Sequence, residues 1–357
     1  MKTGIAELPL HGGKTPKWLF SRMVRLARGI SKAIIYNQGS EELLLRLSDP
    51  NWFQALGCVL GFDWHSSGIT TTVCGAIKEA FKKEGTDWGF FVGGGKGASS
   101  RKTPDDIIEK GEFLKVEPEK LIYASRMAAK VDSAAMQDGY QLYHHSFFFT
   151  TTGKWAVVQQ GMNEITKYAR RYHWISDEVE EFVNEPHHAI CCDQKGNIFN
   201  LVAKESKDAR NYILDFTKQE PRITHKEIDK IVHLNMPAHH PVVLTPKGIK
   251  YLKNILTKIY ETSPNSFEEL LGKQGVGAKT LRALGLVSDI IYNSKVSQKD
   301  PVTYSFAHGG KDGHPYPVDK KTYDTTISYL ENAISKAKIG YTDKMESLKR
   351  LNKWFNR

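Results

Sequence analysis

Apolar residues recur at helical spacing near the start of the chain. Residues 16–36, PKWLFSRMVRLARGISKAIIY, have an apolar side chain at every third or fourth position, with Arg and Lys between. This pattern predicts an amphipathic helix with a basic outer face. A second helix is predicted over TTTVCGAIKEAFKKEG, residues 70–85, ending at Gly85. A third is predicted over TPDDIIEKGEFL, residues 103–114, with Thr103 as its cap and Pro104 in its first turn.

Strand patterns follow between and after these helices. WGFFVGGGKGASSRKTP, residues 88–104, predicts an apolar strand that runs into a glycine-rich loop. YQLYHHSFFFTTTGKWAVVQQGM, residues 140–162, predicts two strands joined by a short Thr-Thr-Thr-Gly turn. Two further strands are predicted in HHAICCD, residues 187–193, and IFNLVAK, residues 198–204. Helices and hairpins are therefore mixed in the first part of the chain.

Prolines cluster at positions 221, 237, 241 and 246, where no continuous helix would tolerate them all. Beyond them, helical patterns predominate: TPKGIKYLKNILTKIYE, TYDTTISYLENAISKAK and TDKMESLKRLNKWF. We therefore predict an α+β or α/β domain over residues 1–218, a linker over 219–246, and an all-α domain with a helix-hairpin-helix motif over 247–357. A chain of 357 residues is long enough for two domains.

The charge of the chain favours a polyanionic partner. The formal net charge is +10, and residues 239–357 alone carry 19 Lys and Arg against 11 Asp and Glu, a net +8 (19 − 11). Nucleic acid is the first candidate for such a basic region. The four cysteines are too few and too irregularly spaced for a secreted disulfide framework. With no signal-peptide or membrane-spanning pattern, we expect a cytoplasmic protein without a membrane partner; protein partners stay unknown.

One stretch, SFEELLGKQGVGAKTLRALGLVSDIIY, resembles a helix-hairpin-helix motif. Ser266 with Glu269 predicts a capping box that begins a short helix, and Gly275 and Gly277 bracket a tight turn before a second amphipathic helix. In this motif the amides of the turn bind a backbone phosphate without reading sequence. The resemblance implies backbone contacts from both glycines and from two lysines, Lys273 and Lys279.

The same region, with PYPVDKKTYDTTISYL further on, resembles the helix-hairpin-helix superfamily of DNA glycosylases. The resemblance implies that Lys279 attacks the sugar as a Schiff-base nucleophile and that Asp319 assists, with no cofactor required. A nucleophilic lysine needs a lowered pKa, which burial beside a helix N-terminus provides. The two residues are 40 positions apart (319 − 279), across an insertion. The alternative is that Lys279 only contacts phosphate and Asp319 caps a helix.

Two glycine-lysine segments in the first domain are typical of phosphate-binding loops. LHGGK contains Lys14, and GGGKGASSR contains Lys96 and Arg101. Backbone amides and a lysine cradle phosphate in such loops. Neither segment has Walker A spacing, so a DNA phosphate is favoured over ATP.

A second catalytic hypothesis concerns the segment before the hairpin. Asp132 and Asp138 precede a strand that bears His144 and His145, with Gln159 and Gln160 on the partner strand. Carboxylates and histidines near one hairpin predict a Mg or Mn site that activates water in a nuclease. The Asp/Glu-x-Lys pattern of many nucleases is missing, so surface carboxylates are the alternative.

Over nearly its whole length the chain resembles a prokaryotic, mostly archaeal family known as domain of unknown function seven-six-three. The stretches that carry this resemblance include LPLHGGKTPKWL, LGFDWHSSGITTTV, DSAAMQDGYQLYHHSFFF and YSFAHGGKDGHPYPVDKKTYD. The resemblance implies no reaction. Three functions therefore stay open: a DNA glycosylase/AP lyase, a metal-dependent DNA nuclease whose hairpin only docks DNA, and a non-enzymatic DNA-binding protein.

Overall fold

The fold is known from a computed structural model, which describes residues 15–62, 67–192, 194–232, 246–303, 328, 330–336 and 340–355. It opens with helices α1 (Lys17–Gln38), α2 (Ser40–Ser48), α3 (Pro50–Leu60), α4 (Gly68–Phe81) and the short α5 (Gly85–Trp88). The predicted amphipathic helix is thus confirmed as α1, whose apolar stripe is buried. At α3, the Asp49 carboxylate accepts the amides of Asn51 at 2.8 Å and Trp52 at 3.1 Å, which sets where the helix begins.

The centre of the molecule is a five-stranded antiparallel sheet in the order β1-β3-β4-β5-β6. Its strands are β1 (Phe90–Lys96), β3 (Gln141–Thr150), β4 (Trp155–Met162), β5 (Ala169–Ile175) and β6 (Ala189–Cys191). The predicted hairpin is confirmed as β3 and β4. Strands β2 (Met136–Gln137) and β7 (Phe199–Asn200) form a separate pair, so the strand predicted over 198–204 is short and lies outside the main sheet.

Both faces of the sheet are covered by helices. Alternate residues of a strand point to opposite faces, so each strand contributes to two apolar clusters. Phe148 and Val158 belong to an apolar cluster with α1–α4, whereas Phe147 and Val157 belong to a second cluster with the later helices. The sheet is therefore the middle of three layers. The mixture of helices with an antiparallel sheet agrees with the predicted α+β class.

The chain between β1 and β3 forms α6 (Thr103–Ile108) and α7 (Pro118–Lys130), and then one π-helical turn at Val131–Ala135. The third predicted helix is shorter than expected, since it ends at Ile108 and a 3-10 turn follows at Gly111–Phe113. Helix α7 lies on the second face of the sheet. The π turn, a feature often found at functional sites, positions Asp132 beneath the sheet.

The later helices include α8 (Lys207–Thr217), α9 (Pro221–Val232), α10 (Pro246–Thr262), α11 (Phe267–Gly272), α12 (Ala278–Tyr292) and α13 (Tyr341–Phe355). Pro221 and Pro246 each begin a helix, a position that proline tolerates. Helix α13 packs on α3, where Arg350 Nε donates to the Val59 carbonyl at 2.9 Å and Leu351 is buried.

Residues on either side of the predicted linker contribute to one apolar cluster, which includes Phe147 of β3 and Leu284 of α12. The Arg170 guanidinium of β5 also pairs with Asp300 at 2.8 Å, across 130 residues of sequence. The boundaries at 218 and 247 stay a prediction. Within the described segments, no helix combines the length and the apolar character that a membrane span requires.

Candidate functional site

The α11–α12 hairpin (residues 266–292) begins with an N-terminal cap on α11. Ser266 Oγ accepts the amide of Glu269 at 3.1 Å, and the Glu269 carboxylate accepts the amide of Asn265 at 2.7 Å. The predicted cap is confirmed, with its second bond one residue earlier than the usual capping box. Phe267, Leu270 and Leu271 are buried, so α11 is anchored on its inner side.

The two glycines of the turn differ in whether the fold requires a glycine there. Gly275 has φ +87°, and a Cβ there would lie 2.2 Å from Ile255 Cδ1. Gly277 has φ −121°, which any residue adopts, and a Cβ there would meet no atom within 4 Å. The fold of the described residues therefore requires glycine at 275 but not at 277, where the open side faces outward.

The N-terminus of α12 lies beside that open side. The first intrahelical bond runs from the Leu281 amide to the Gly277 carbonyl at 2.9 Å, and no side chain caps the helix. Within the described residues, the amides of residues 278–280 have no hydrogen-bond acceptor. Such amides and the positive end of the helix dipole suit an anion. Lys273 is half-buried and Lys279 exposed beside them.

Helix α12 is fixed against the strands by one glutamine. Gln137 Nε2 donates to the Ala278 carbonyl at 2.8 Å, and Gln137 Oε1 accepts from Arg282 Nε at 2.8 Å. The Arg282 guanidinium also lies 5.5 Å from the ring centroid of Phe199. The turn of the hairpin is therefore held by contacts with β2 and β7.

The structure tests only part of the predicted lysine chemistry. Lys279 is exposed, whereas the Schiff-base hypothesis expects a buried amine. Asp319 lies outside the described residues, and so does Lys14. The predicted pairing of Lys279 with Asp319 stays a prediction.

The glycine triplet of the first domain forms a strand rather than a loop. Gly93, Gly94 and Gly95 belong to β1, where Gly95 pairs with His145 and Lys96 with His144. Gly94 has φ +82°, and a Cβ there would lie 2.2 Å from the His145 carbonyl. The loop prediction is corrected here: close strand pairing accounts for the triplet, and the chain leaves the sheet only after Lys96.

A salt bridge locks the end of β1. Lys78 Nζ donates to Asp106 Oδ2 at 2.7 Å and to the Gly94 carbonyl at 2.8 Å, while the Gly94 amide donates to the same Asp106 oxygen at 2.8 Å. Lys96 Nζ lies 5.8 Å from the ring centroid of Tyr143. These contacts hold Lys96 next to the following 3-10 helix, Gly97–Lys102, which carries Arg101.

Arg101 lies at the rim of a cleft between this 3-10 helix, α7 and β3, called the basic cleft below. Its volume is about 390 Å³, and its lining includes Arg101, Ser125, Arg126, Tyr143, His144 and His145. No described residue that lines it is Asp or Glu. The structure thus brings Arg101 together with both predicted histidines, in a site that suits an anion.

His145 sits in a chain of buried polar groups. Its Nε2 lies 2.8 Å from Ser125 Oγ and its Nδ1 lies 2.7 Å from Gln159 Oε1. Burial lowers the pKa of His145, so the neutral imidazole is favoured. His144 contacts Ser146 Oγ at 3.0 Å through Nε2, and burial lowers the pKa of His144 to about 3.

The two predicted carboxylates are buried and bonded to protein groups. Asp132 accepts hydrogen bonds from Gln159 and Trp174 and contacts His187 Nε2 at 2.5 Å. Asp138 pairs with Arg170 at 3.0 Å and accepts the Tyr172 hydroxyl at 2.7 Å. They are therefore not surface-loop carboxylates. Burial raises the pKa of Asp138, against the opposing effect of Arg170.

In the described part of the chain, no three His, Cys, Asp or Glu side chains are grouped so that they could hold a metal ion. The carboxylate oxygens of Asp132 and Asp138 instead accept hydrogen bonds from nitrogen and hydroxyl donors. The Mg or Mn expected for the nuclease alternative stays a prediction. Lys96 pairs with His144 in the sheet, and His145 follows on the same strand.

Sequence reasoning missed Ser125 and Arg126. Both lie on α7, a helix that the pattern analysis did not predict. The available signal was a serine at an inward position of an otherwise apolar stripe, with Leu121, Ile122 and Ala128. A buried serine in such a stripe needs a polar partner, and His145 provides it.

A second basic surface lies along α1 and is called the α1 groove. Its volume is about 1040 Å³, and its lining includes Arg25, Arg28, Lys32, Tyr36, Trp88 and Lys336. Asp343 is the only carboxylate among the described lining residues, and it pairs with Arg25 at 3.6 Å. Lys32 is also bonded to Glu84. The groove keeps an excess of cations beside the exposed ring of Tyr36.

Comparison with known proteins places the chain in one family. No curated protein and no solved structure matches it. One family model, described as "Protein of unknown function (DUF763)", matches residues 4–318, which is most of the chain. The expected family membership is thereby confirmed: the chain belongs to the DUF763 family of proteins of unknown function.

Proposed function

We propose that this protein binds DNA through phosphate contacts of the α11–α12 hairpin and acts in DNA repair or processing. The observation that carries the proposal is Gly277. Its φ of −121° and the open space around its Cβ position mean that neither backbone strain nor packing requires glycine there. A phosphate that approaches the backbone closely does require one, as in a helix-hairpin-helix.

The surroundings of Gly277 support the same proposal. Amides of residues 278–280 without acceptors among the described residues lie beside it, and Lys273 and Lys279 lie on the same turn. Contacts of this kind fix a duplex without reading its sequence. The α1 groove supplies a second cationic surface where exposed Tyr36 offers a face for a base. The proposal includes a cytoplasmic location.

Lys279 has two alternative roles within this proposal. Its exposure supports a phosphate contact, because an exposed lysine side chain is free to reach the backbone of a bound duplex. The Schiff-base role needs desolvation, which a bound, flipped nucleotide would have to supply. The docking role is therefore the one we favour.

The experiment measures DNA affinity by fluorescence anisotropy between 50 and 200 mM salt, a range in which counterion release is resolved. The double variant Lys273→Gln/Lys279→Gln is compared with Lys207→Gln/Lys218→Gln, which removes the same charge from exposed sites at the two ends of α8. We expect the hairpin variant to lose roughly two units of salt slope, about 0.9 per phosphate contact. Equal slopes in the two double variants would refute hairpin docking.

Activity assays distinguish the lyase, the nuclease and the non-enzymatic alternatives. Borohydride trapping on DNA with an abasic site should yield a cross-linked species only if an amine attacks the sugar, and Lys279→Ala should then abolish it. Cleavage that survives Lys279→Ala but stops with EDTA would support the metal-dependent alternative. Binding without either activity would support the non-enzymatic alternative.

A further inference from the structure

The basic cleft has a serine and a histidine in direct contact at its wall. Ser125 on α7 and His145 on β3 are 3% and 5% exposed, and both line the cleft. Their Oγ and Nε2 atoms lie 2.8 Å apart. A hydroxyl held in this way by an imidazole is the arrangement found in serine nucleophiles.

The proton positions in this pair follow from the hydrogen-bond network. Gln159 Nε2 donates to Asp132 Oδ2 at 2.6 Å and to the Ala128 carbonyl at 3.2 Å, so Gln159 Oε1 faces His145. An amide oxygen only accepts, and therefore His145 Nδ1, 2.7 Å away, carries the hydrogen. His145 Nε2 is left with a lone pair, and Ser125 must donate to it.

Asp132 completes the network behind the glutamine. Its carboxylate also accepts from Trp174 Nε1 at 3.0 Å and contacts His187 Nε2 at 2.5 Å. Asp132 is 1% exposed and Gln159 is fully buried, so neither exchanges partners with water. The chain from Asp132 through Gln159 therefore orients His145, the role that a triad's third residue performs.

The rest of the cleft selects the charge of the substrate. Arg101 and Arg126 are exposed, neither forms an ion pair with a described residue, and the lining contains no described carboxylate. Arginines beside hydroxyl groups suit the oxygens of a phosphate. A volume of about 390 Å³ accommodates a small ester.

We infer that the basic cleft binds a phosphate ester and that Ser125 attacks its phosphorus with His145 as the general base. The Ser125 Oγ–P bond forms as the bond from phosphorus to the leaving oxygen breaks. The Ser125 proton passes to His145 Nε2 and then to the leaving alcohol. Water next attacks the phosphorus on Ser125 and gives a proton to His145, which returns it to Ser125 Oγ. Phosphate is released from a monoester, or a phosphate monoester from a diester, and the site is restored.

Chromogenic esters test this site without requiring DNA binding. Bis(p-nitrophenyl) phosphate and p-nitrophenyl phosphate represent a diester, as in a nucleic-acid backbone, and a terminal monoester. We expect turnover of at least one, with Ser125→Ala lowering kcat at least roughly a hundredfold, the usual contribution of an assisted nucleophile. Ser21→Ala is the control, because Ser21 is an exposed helix serine on α1 that does not line the cleft.

Two further readouts separate catalysis from stability. Arg126→Gln should raise KM while kcat changes less, since Arg126 contacts substrate rather than the reacting hydroxyl. A fluorophosphonate should label Ser125 by mass spectrometry, and inorganic phosphate should slow the labelling. Circular dichroism checks that Ser125→Ala is folded, and His145→Gln should abolish labelling as well. Wild-type protein that neither turns over an ester nor is labelled would overturn the inference, as would Ser125→Ala with unchanged turnover.

Discussion

The two glycines of the hairpin turn provide a sharp test, because the same substitution is expected to act on stability at one site and on binding at the other. Gly275→Ala puts a Cβ 2.2 Å from Ile255 Cδ1 at a residue with φ +87°. The left-handed backbone costs about 1–2 kcal/mol for a residue with a Cβ. Overpacking adds about 1–3 kcal/mol. The free energy of unfolding should therefore fall by about 2–5 kcal/mol.

Gly277→Ala meets neither obstacle. A Cβ at Gly277 has no atom within 4 Å, and its φ of −121° is ordinary. Loss of chain entropy in the unfolded state stabilises by about 0.4–1 kcal/mol. Alanine is a poorer N-cap than glycine by a similar amount, on the order of 0.5–1 kcal/mol. The two effects nearly cancel, and stability should change by less than about 1 kcal/mol.

DNA binding should show the opposite order. If the Gly277 backbone lies against a phosphate, a methyl group there costs at least one hydrogen bond to a charged acceptor, about 1.5–3 kcal/mol. Affinity should then fall about tenfold or more, since 1.4 kcal/mol is a factor of ten. Anisotropy with a short duplex at fixed salt measures this loss, and urea denaturation measures stability on the same samples.

Gly196→Ala is the control for Gly277→Ala. A Cβ at Gly196 also has no atom within 4 Å, but Gly196 lies between β6 and β7, outside the hairpin. Its variant should bind DNA as the wild type does. Gly277→Ala with wild-type affinity would refute the phosphate contact. A large loss of stability in that variant would refute the structural reasoning.

Two further predictions concern the buried charges and histidines. Arg170→Ala should lower the free energy of unfolding by about 3–5 kcal/mol in urea denaturation, because Asp138 and Asp300 lose their shared buried partner. The double variant Arg170→Ala/Asp300→Asn should recover part of this loss. An unchanged urea midpoint for Arg170→Ala would contradict this account. Burial lowers the pKa of His144 to about 3, whereas the usual value in an unfolded chain is near 6.5. Between these two pH values the unfolded chain binds a proton that the folded chain does not. The free energy of unfolding should therefore fall by up to about 1.4 kcal/mol for each pH unit of acidification. His144→Gln should make that fall shallower between pH 6 and 4, and parallel curves for variant and wild type would refute the assignment.

Local patterns predicted the elements whose contacts are local. The helix at residues 17–38, the β3–β4 hairpin and the cap at Ser266 each depend on side chains within a few positions. The register also follows from the short turn, which places Gln159 opposite His145 and Gln160 opposite His144. Periodicity and cap chemistry are sufficient in such cases.

Local patterns did not predict the basic cleft, because its contacts join segments that are distant in the sequence. Gly93–Lys96 looks like a loop until β3, about fifty residues later, supplies its strand partner. Ser125 receives its polar partner only when β3 places His145 beside it. These contacts join distant segments, and the sequence encodes them only through the complete packing of the sheet against α7.

The contact between α13 and α3 bears on how the chain folds while it is being made. Arg350 and the Val59 carbonyl that it binds are 291 residues apart. At about 5–20 residues per second, a ribosome adds those residues in roughly 15 to 60 seconds. Throughout that time the side of α3 that Leu351 and its neighbours later cover is exposed to chaperones and to other nascent chains. The layer that contains α3 is therefore completed only after the strands of the sheet have been synthesised.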